Sequence, residues 1–388
     1  MITRIVYFLL FLGVCHGFAL HGSATTVLSQ QRKTHLRMAI TSPVRYSSND
    51  WIKCMSSLPT SRILARTKFT ISWFTGWAAL LTVLHKVLRM HWLQIPQSLT
   101  AILGPTISLL LVFRTNSSYD RFWEARKAQS SMLHALRTIA THASVHIPEA
   151  HWRELATLLT VFAIVQKQHL QGMRNDVEFT PLLSPERVAE LQGKNNRPLF
   201  VLQQLEKLIH FSLLSKYREE QLVALAKGAP SDPMPRYIEK HFIEGLHGLS
   251  AQLVACERIL KQPVPLSYSR HTSRFLSLYL FLLPLSLVPS MGWLAIPLTT
   301  AITWSLVSIQ EISHFIEEPF DPTKQVIQLS HIISVAWRDV SELLGGVISN
   351  PAMEDMDNGL MQETLKNSRD MDVLEWPRFY VREPTGDL

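Results

Sequence analysis

Side chains able to do chemistry crowd into two short segments, and neither has the composition of a catalytic centre. The first runs from Arg114 to Arg126 and reads R-T-N-S-S-Y-D-R-F-W-E-A-R. Arg114, Arg121 and Arg126, the acids Asp120 and Glu124, and the hydrogen-bonding edges of Asn116, Tyr119 and Trp123 are groups that hold helices together. The second, I-E-E-P-F at 316–320, offers Glu317 and Glu318 beside Pro319 and Phe320. Buried charges are tolerated when paired, so Glu317 and Glu318 are the expected partners of the arginines. His142 and His146 are four apart and His151 follows, but no glutamate or third ligand stands at metal-site spacing. No G-x-S-x-G, Walker loop, G-x-G-x-x-G or C-x-x-C occurs. An enzyme reading therefore has no residues behind it, and neither a metal nor another cofactor is expected.

The element that must position the first segment is the uncharged run before it, residues 95–113, which is 19 residues long. About 20 residues at 1.5 Å rise cross a hydrocarbon core of roughly 30 Å. Ser98, Thr100, Thr106 and Ser108, with Gly104 and Pro105, make this helix less apolar than a lipid-facing one, and small polar residues in a span face other helices or a wet cavity. Pro96 suits a first turn, and Pro105 is expected to bend the axis. Positions four apart share a face, so Ser98, Ile102 and Thr106 form one candidate pore stripe. Leu99, Leu103 and Ile107 form its neighbour.

A second uncharged run covers 275–309, with a turn cluster at Pro289-Ser290-Met291-Gly292, and reads as a hairpin of two short spans. An earlier span falls at about 69–88, giving four: 69–88, 95–113, 275–290 and 292–309. Nine basic residues (Arg62, Arg66, Lys68, Arg114, Arg121, Arg126, Lys127, Arg270 and Arg274) then fall on one side, against Lys86 and Arg89 on the other. By the positive-inside rule the first side faces the cytoplasm or its plastid equivalent, the stroma. Residues 114–270 read as a soluble helical region with apolar faces such as Leu155, Leu158, Leu159 and Phe162. A further helix is expected at about 323–344, ended by Gly345-Gly346, within a C-terminal part covering 322–388.

The net charge of +7 would hint at nucleic acid, but Arg4, Arg32, Lys33 and Arg37 with no acid in 1–39 account for four of it, and no nucleic-acid partner is expected. Residues 1–17 have signal-peptide form, and 18–38 are basic, rich in Ser and Thr and acid-free, like a transit segment. Residues 1–39 are therefore read as a bipartite presequence and 40–388 as the domain that holds the spans and both motifs. Cys15, Cys54 and Cys256 have neither metal spacing nor a paired framework.

The Arg114–Arg126 segment also resembles the signature that follows the second span in the bestrophin family of anion channels, and I-E-E-P-F resembles a later mark of that family. The resemblance covers about 61–345. It implies an all-α chain of four transmembrane helices plus a helical soluble region, assembled as a homopentamer in a lipid bilayer around an axial pore lined by the second span. Counting back from Tyr119 places the family's apolar neck on Ser98, Ile102 and Thr106, of which Ile102 alone is apolar, so the opening is expected to be wider or wetter than the family's. The resemblance is nearest to the plastid branch, the thylakoid voltage-dependent chloride channels, because D-P-T-K-Q-V-I-Q-L at 321–329 lacks the dense acidic run of the animal members' calcium clasp. The implied function is passive conduction of chloride or another small monovalent anion across a thylakoid membrane, balancing charge during proton pumping. The alternatives are bicarbonate conduction, another chloroplast membrane, and a non-conducting membrane scaffold. The family's tails suggest that 350–388 wraps a neighbouring subunit.

Overall fold

The computed structural model describes Ser56 and residues 61–227, 236–324 and 326–346. The expected presequence at 1–39, the loop at 228–235 and the tail beyond 346 lie outside the described residues. Those described form helices with no strand among them: α1 Arg62–Lys86, α2 Gln97–His146, α3 Trp152–Gln171, α4 Pro185–Gln192, α5 Arg197–Ala226, α6 Arg236–Lys261, α7 Leu266–Met291, α8 Ala295–Glu317 and α9 Leu329–Leu343.

α2 is the spine. Its 50 residues run unbroken through Pro105, a length of about 75 Å at 1.5 Å per residue. Its first part is apolar and its second amphipathic, so it belongs to two cores. In the first, Ile107 and Leu111 pack with Phe74 of α1 and Leu276 and Leu280 of α7. Leu283, Leu287 and Val288 of α7 close on Ala295 of α8 beside them. Hydroxyl pairs stitch these helices: Thr75 with Thr300 at 2.9 Å, Thr100 with Ser286 at 3.0 Å and Ser118 with Ser313 at 2.9 Å. Such small polar contacts replace the hydrophobic drive that a bilayer does not supply.

The second core gathers Met132, Leu136 and Ile139 of α2 with Leu159 and Phe162 of α3, Leu205 of α5, Phe242 and Leu249 of α6, and Ile333 and Val340 of α9. α2 and α6 approach closely at Gly245, where a Cβ would stand 2.6 Å from Ile139 Cγ1. A smaller cluster of Phe122, Ile259, Ile316, Phe320 and Ile327 fills the junction between the cores.

The hairpin turns inside the expected cluster: α7 continues through Pro284 and Pro289 to Met291, and the chain reverses at Gly292, where φ is 58°. A proline costs one bond in a helix, whereas a positive φ reverses the chain, and glycine takes it without a Cβ penalty. Among the described residues two stretches, Gln97–His146 and Leu266–Glu317, are long and apolar enough to cross a membrane by length and composition, and α1 is not among them. α9 starts at Leu329 instead of about 323. Asp321 Oδ1 accepts the Thr323 N–H at 2.8 Å and its hydroxyl at 2.7 Å, which diverts the backbone into a turn. At the end of α9 Leu343 is exposed and Leu344 is fully buried. Gly345 and Gly346, at φ 74° and 69°, then end the helix.

Candidate functional site

The predicted stripe on α2 stands clear of the rest of the chain. Ser98 and Thr106 are exposed, Ile102 is 69% exposed, Leu99 is exposed and Leu103 half-buried. Ile107, grouped with Leu99 and Leu103 in the sequence, belongs to the core at 2% exposure. A helix seated against α1, α7 and α8 on one side leaves the opposite side bare, and Ile107 falls on the packed side. The bare face continues past the predicted residues: Leu109, Val112 and Phe113 are more than half exposed. Their spacing from Ile102 and Thr106 repeats the same helical period, a signal that one or two further turns of counting would have found.

Backbone chemistry sharpens the picture. α2 follows its N-cap residue Pro96 without a side-chain cap, Leu99 N–H turns back to Pro96 O at 3.1 Å, and the positive end of the helix dipole lies at this first turn. Thr106 turns its hydroxyl back to the Ile102 carbonyl at 3.2 Å, and Ser108 does so to Gly104 at 3.0 Å. Pro105 has no N–H to give the Ala101 carbonyl, and both residues are exposed on the bare side.

The signature below this stripe splits into two faces. Asn116, Tyr119, Asp120 and Trp123, at i, i+3, i+4 and i+7, are exposed and extend the bare side of α2. Arg114 and Arg121 turn inward. Arg114 is 5% exposed, with Nη1 donating to the Ser269 carbonyl at 3.4 Å and Nη2 3.7 Å from Glu317 Oε2. An arginine so placed forms a buried pair.

Arg121 departs furthest from expectation. Its partners are backbone carbonyls, not the Glu317 and Glu318 carboxylates: Nη1 donates to Gln262 O at 2.5 Å, Nη2 to Ile259 O at 2.7 Å and Nε to Glu317 O at 3.2 Å. Those carbonyls lie at the C-terminal ends of α6 and α8, where acceptors have no intrahelical donor and the dipole is negative. One guanidinium fork therefore ties two helix ends to α2.

The acids distribute accordingly. Glu317 faces Arg114, and the His314 ring at 3.7 Å, with Arg114 and Arg121 behind it, holds its carboxyl below the ordinary value although burial opposes this. Glu318 takes Lys324 at 2.6 Å; the same ammonium reaches His314 O at 3.3 Å and stands 4.0 Å from Asp321. A lysine thus fills the oxygen-rich corner after the second motif. Glu124 pairs with Arg258 of α6. Arg126 is half-buried, and burial lowers its pKa. Pro319 is buried, and Phe320 is 3% exposed in the junction cluster.

His142 stacks on His241 of α6 at 5.0 Å rather than converging with His146 and His151 on a point. Among the described residues no group of three or more His, Cys, Asp or Glu is placed to hold a metal.

The chain is similar to known proteins. A voltage-dependent anion channel-forming protein of Nostoc sp. is 33% identical over 268 residues, 66% of this chain and 82% of that protein. The chloroplastic voltage-dependent chloride channel 2 of Arabidopsis thaliana is 27% identical over 304 residues, covering 71% and 68%. A crystal structure of a bacterial bestrophin homologue from Klebsiella pneumoniae superposes with a TM-score of 0.62 at 22% identity, covering 71% of this chain and 98% of that one, which establishes a common fold. The family described as bacterial/fungal bestrophin protein matches residues 43–342. With that match spanning both motifs, the long spine helix and the hairpin behind it, the chain belongs to the bestrophin family.

Proposed function

We propose that the chain is the protomer of a passive anion channel in a plastid membrane, with chloride as its principal ion and the thylakoid as its site. The observation that carries the reading is the bare side of α2. One face of α2 from Ser98 to Phe113 stays exposed, begins at a helix N-terminus without a side-chain cap, and has no carboxylate along it. Five copies of this helix around an axis would aim five positive helix ends at the entrance, each equivalent to roughly half a charge. An ion passing them meets the Ser98 hydroxyls, an apolar ring of Ile102 and then Thr106, with Leu109 and Phe113 on the turns that follow.

That order suits an anion. No acid lies in 69–84, 95–113 or 275–309, so no fixed charge attracts a cation in these runs. The Ile102 ring, flanked by hydroxyls, makes a short dewetting barrier. The four membrane crossings are α1, the first part of α2, α7 and α8, and the soluble half of α2 with α3, α5 and α6 continues the path. Asn116, Tyr119, Asp120 and Trp123 face the neighbouring subunit or the inner path in this arrangement. In a thylakoid, chloride entering the lumen would offset the charge of pumped protons and convert membrane potential into a pH difference. The chloroplastic relatives support the compartment and the anion alike.

The test is conduction by purified protein in planar bilayers. A reversal potential that follows the chloride gradient is expected, together with a pentamer by light scattering at about five times the 44.3 kDa chain mass. A bicarbonate permeability exceeding that of chloride would move the assignment to inorganic-carbon supply. Silence with every small anion from a well-folded pentamer would leave a membrane scaffold.

A further inference from the structure

Where α1 gives way to the segment that starts α2, two imidazoles meet. His85 Nε2 lies 3.3 Å from His91 Nδ1, with the rings edge to face at 4.8 Å. His85 is 6% exposed and its Nδ1 is buried without a partner, whereas His91 is exposed. Of the two facing nitrogens one must donate and the other accept, so the contact holds only while one of them is bare. When both rings are charged, N–H faces N–H and two cations stand within contact distance.

Nothing nearby offsets that repulsion. Lys86 follows His85 directly and lies across the α7–α8 turn, its Cε 3.0 Å and Nζ 3.5 Å from where a Cβ on Gly292 would sit. Arg89 belongs to the same segment and is held at φ 52°, a left-handed conformation unfavourable to a residue with a side chain. The facing groups are thus His91, Lys86 and Arg89, all cations or able to become so, and the α7–α8 turn that packs against them has no acid from 275 to 309.

The segment's backbone tethers are mostly local: Val87 N–H reaches Val83 O at 2.8 Å, Leu88 N–H the same carbonyl at 3.3 Å, Met90 N–H Leu84 O at 3.2 Å, His91 N–H Arg89 O at 2.9 Å and Leu93 N–H Met90 O at 3.2 Å, while Ile95 N–H reaches across to Leu285 O at 3.4 Å. Pro96 then opens α2, and Ser98 of the pore stripe follows two residues later. The histidine pair therefore fixes the middle of the segment that carries the start of the pore helix.

We infer that His85 and His91 form a proton-operated latch on the pore entrance: a shared hydrogen bond holds the 87–96 segment closed, and acid on that side of the membrane protonates both rings and releases it. Release leaves two added cations per subunit on the segment leading to the entrance, which raises local anion concentration. In the topology proposed above this side is the lumen, so proton accumulation there would increase anion conductance. The functional consequence rests on the channel reading; the latch chemistry does not.

The experiment uses the full assembly and two measurements. In planar bilayers, the wild-type chloride current is expected to rise as pH on the α1–α2 side is lowered from about 7.5 to about 5.5, with no response to acid on the other side. His91→Gln keeps a hydrogen bond to His85 in either protonation state; it should carry the same current at pH 7.5 and lose the response. A current indifferent to that side's pH, or a response that persists in His91→Gln, overturns the latch while leaving the channel standing. If no variant conducts, the channel reading has failed and hydrogen exchange decides the latch. Peptides covering 87–96, corrected for the chemical exchange rate, should exchange faster at pH 5.5 than at 7.5 in the wild type and not in His91→Gln, and equal protection at both values overturns it.

Discussion

Removing the Arg121 side chain should break the molecule at the junction of its two cores. Arg121→Ala deletes three hydrogen bonds from a cation, to Ile259 O, Gln262 O and Glu317 O. A hydrogen bond to a charged group is worth about 1.5–3 kcal/mol. The Gln262 bond is exposed, where water replaces it, so two bonds count in full and the expected loss is about 3–6 kcal/mol. At about 2 °C per kcal/mol for a domain of this order, the melting temperature of the detergent-solubilised pentamer should fall by roughly 6–12 °C. Arg121→Lys is the informative companion, because one ammonium on a flexible stem cannot reproduce a three-way fork. It should recover less than half of the loss. The assay is thermal unfolding followed by size-exclusion chromatography, with anion selectivity measured on whatever assembles. Arg121→Ala within about a degree of wild type, or a lysine variant equal to arginine, would refute the assignment of this residue to the two helix ends. A stable Arg121→Ala pentamer with altered permeability would move it into the conduction path.

Four further outcomes are expected. Ile102→Ala should raise unitary conductance and weaken discrimination among anions by removing the apolar ring, whereas Thr106→Val should lower conductance by lengthening it; bilayer recordings of both check the stripe, and equal currents in all three would exclude it from the path. Glu317 is held below its ordinary carboxyl value, so its contribution to stability is complete above its unfolded pKa of about 4.5 and is lost as pH falls through the lower folded value; acid-unfolding curves should show that limb flattened in Glu317→Gln and unchanged between pH 7 and 5. Burial pushes the Cys256 thiol up to about 12, so in protein treated at pH 8 its peptide should stay unmodified by iodoacetamide until denaturant is added, as mass spectrometry reports. Gly245→Ala drives a methyl to within 2.6 Å of Ile139 Cγ1, while Gly248→Ala meets Ala135 Cβ at 3.4 Å; the first should cost about 1–3 kcal/mol, the second much less, and matched melting curves compare them.

The sequence by itself determined the helical class, the long uncharged runs and the residues that differ from their surroundings. An uncharged run of 19 residues admits few structures once backbone groups must be satisfied without water, and periodicity of 3.6 put Ser98, Ile102 and Thr106 on one face before any neighbour was known. The paired motifs were legible for the same local reason, since charges beside an apolar run need partners. Which partners was not legible. Arg121 was expected to find carboxylates and instead meets the carbonyl ends of α6 and α8, because helix ends that are 56 residues apart in the chain converge only when both cores are packed. Glu317 goes to Arg114 and Glu318 to Lys324 for that reason too. The division of α2 into packed and bare sides, which buries Ile107 and frees Phe113, depends on where α1, α7 and α8 are seated. The His85–His91 contact belongs with these: nothing in a six-residue spacing across a helix end predicts that two rings will share a proton, and it is the αL turn at Arg89 that brings them together.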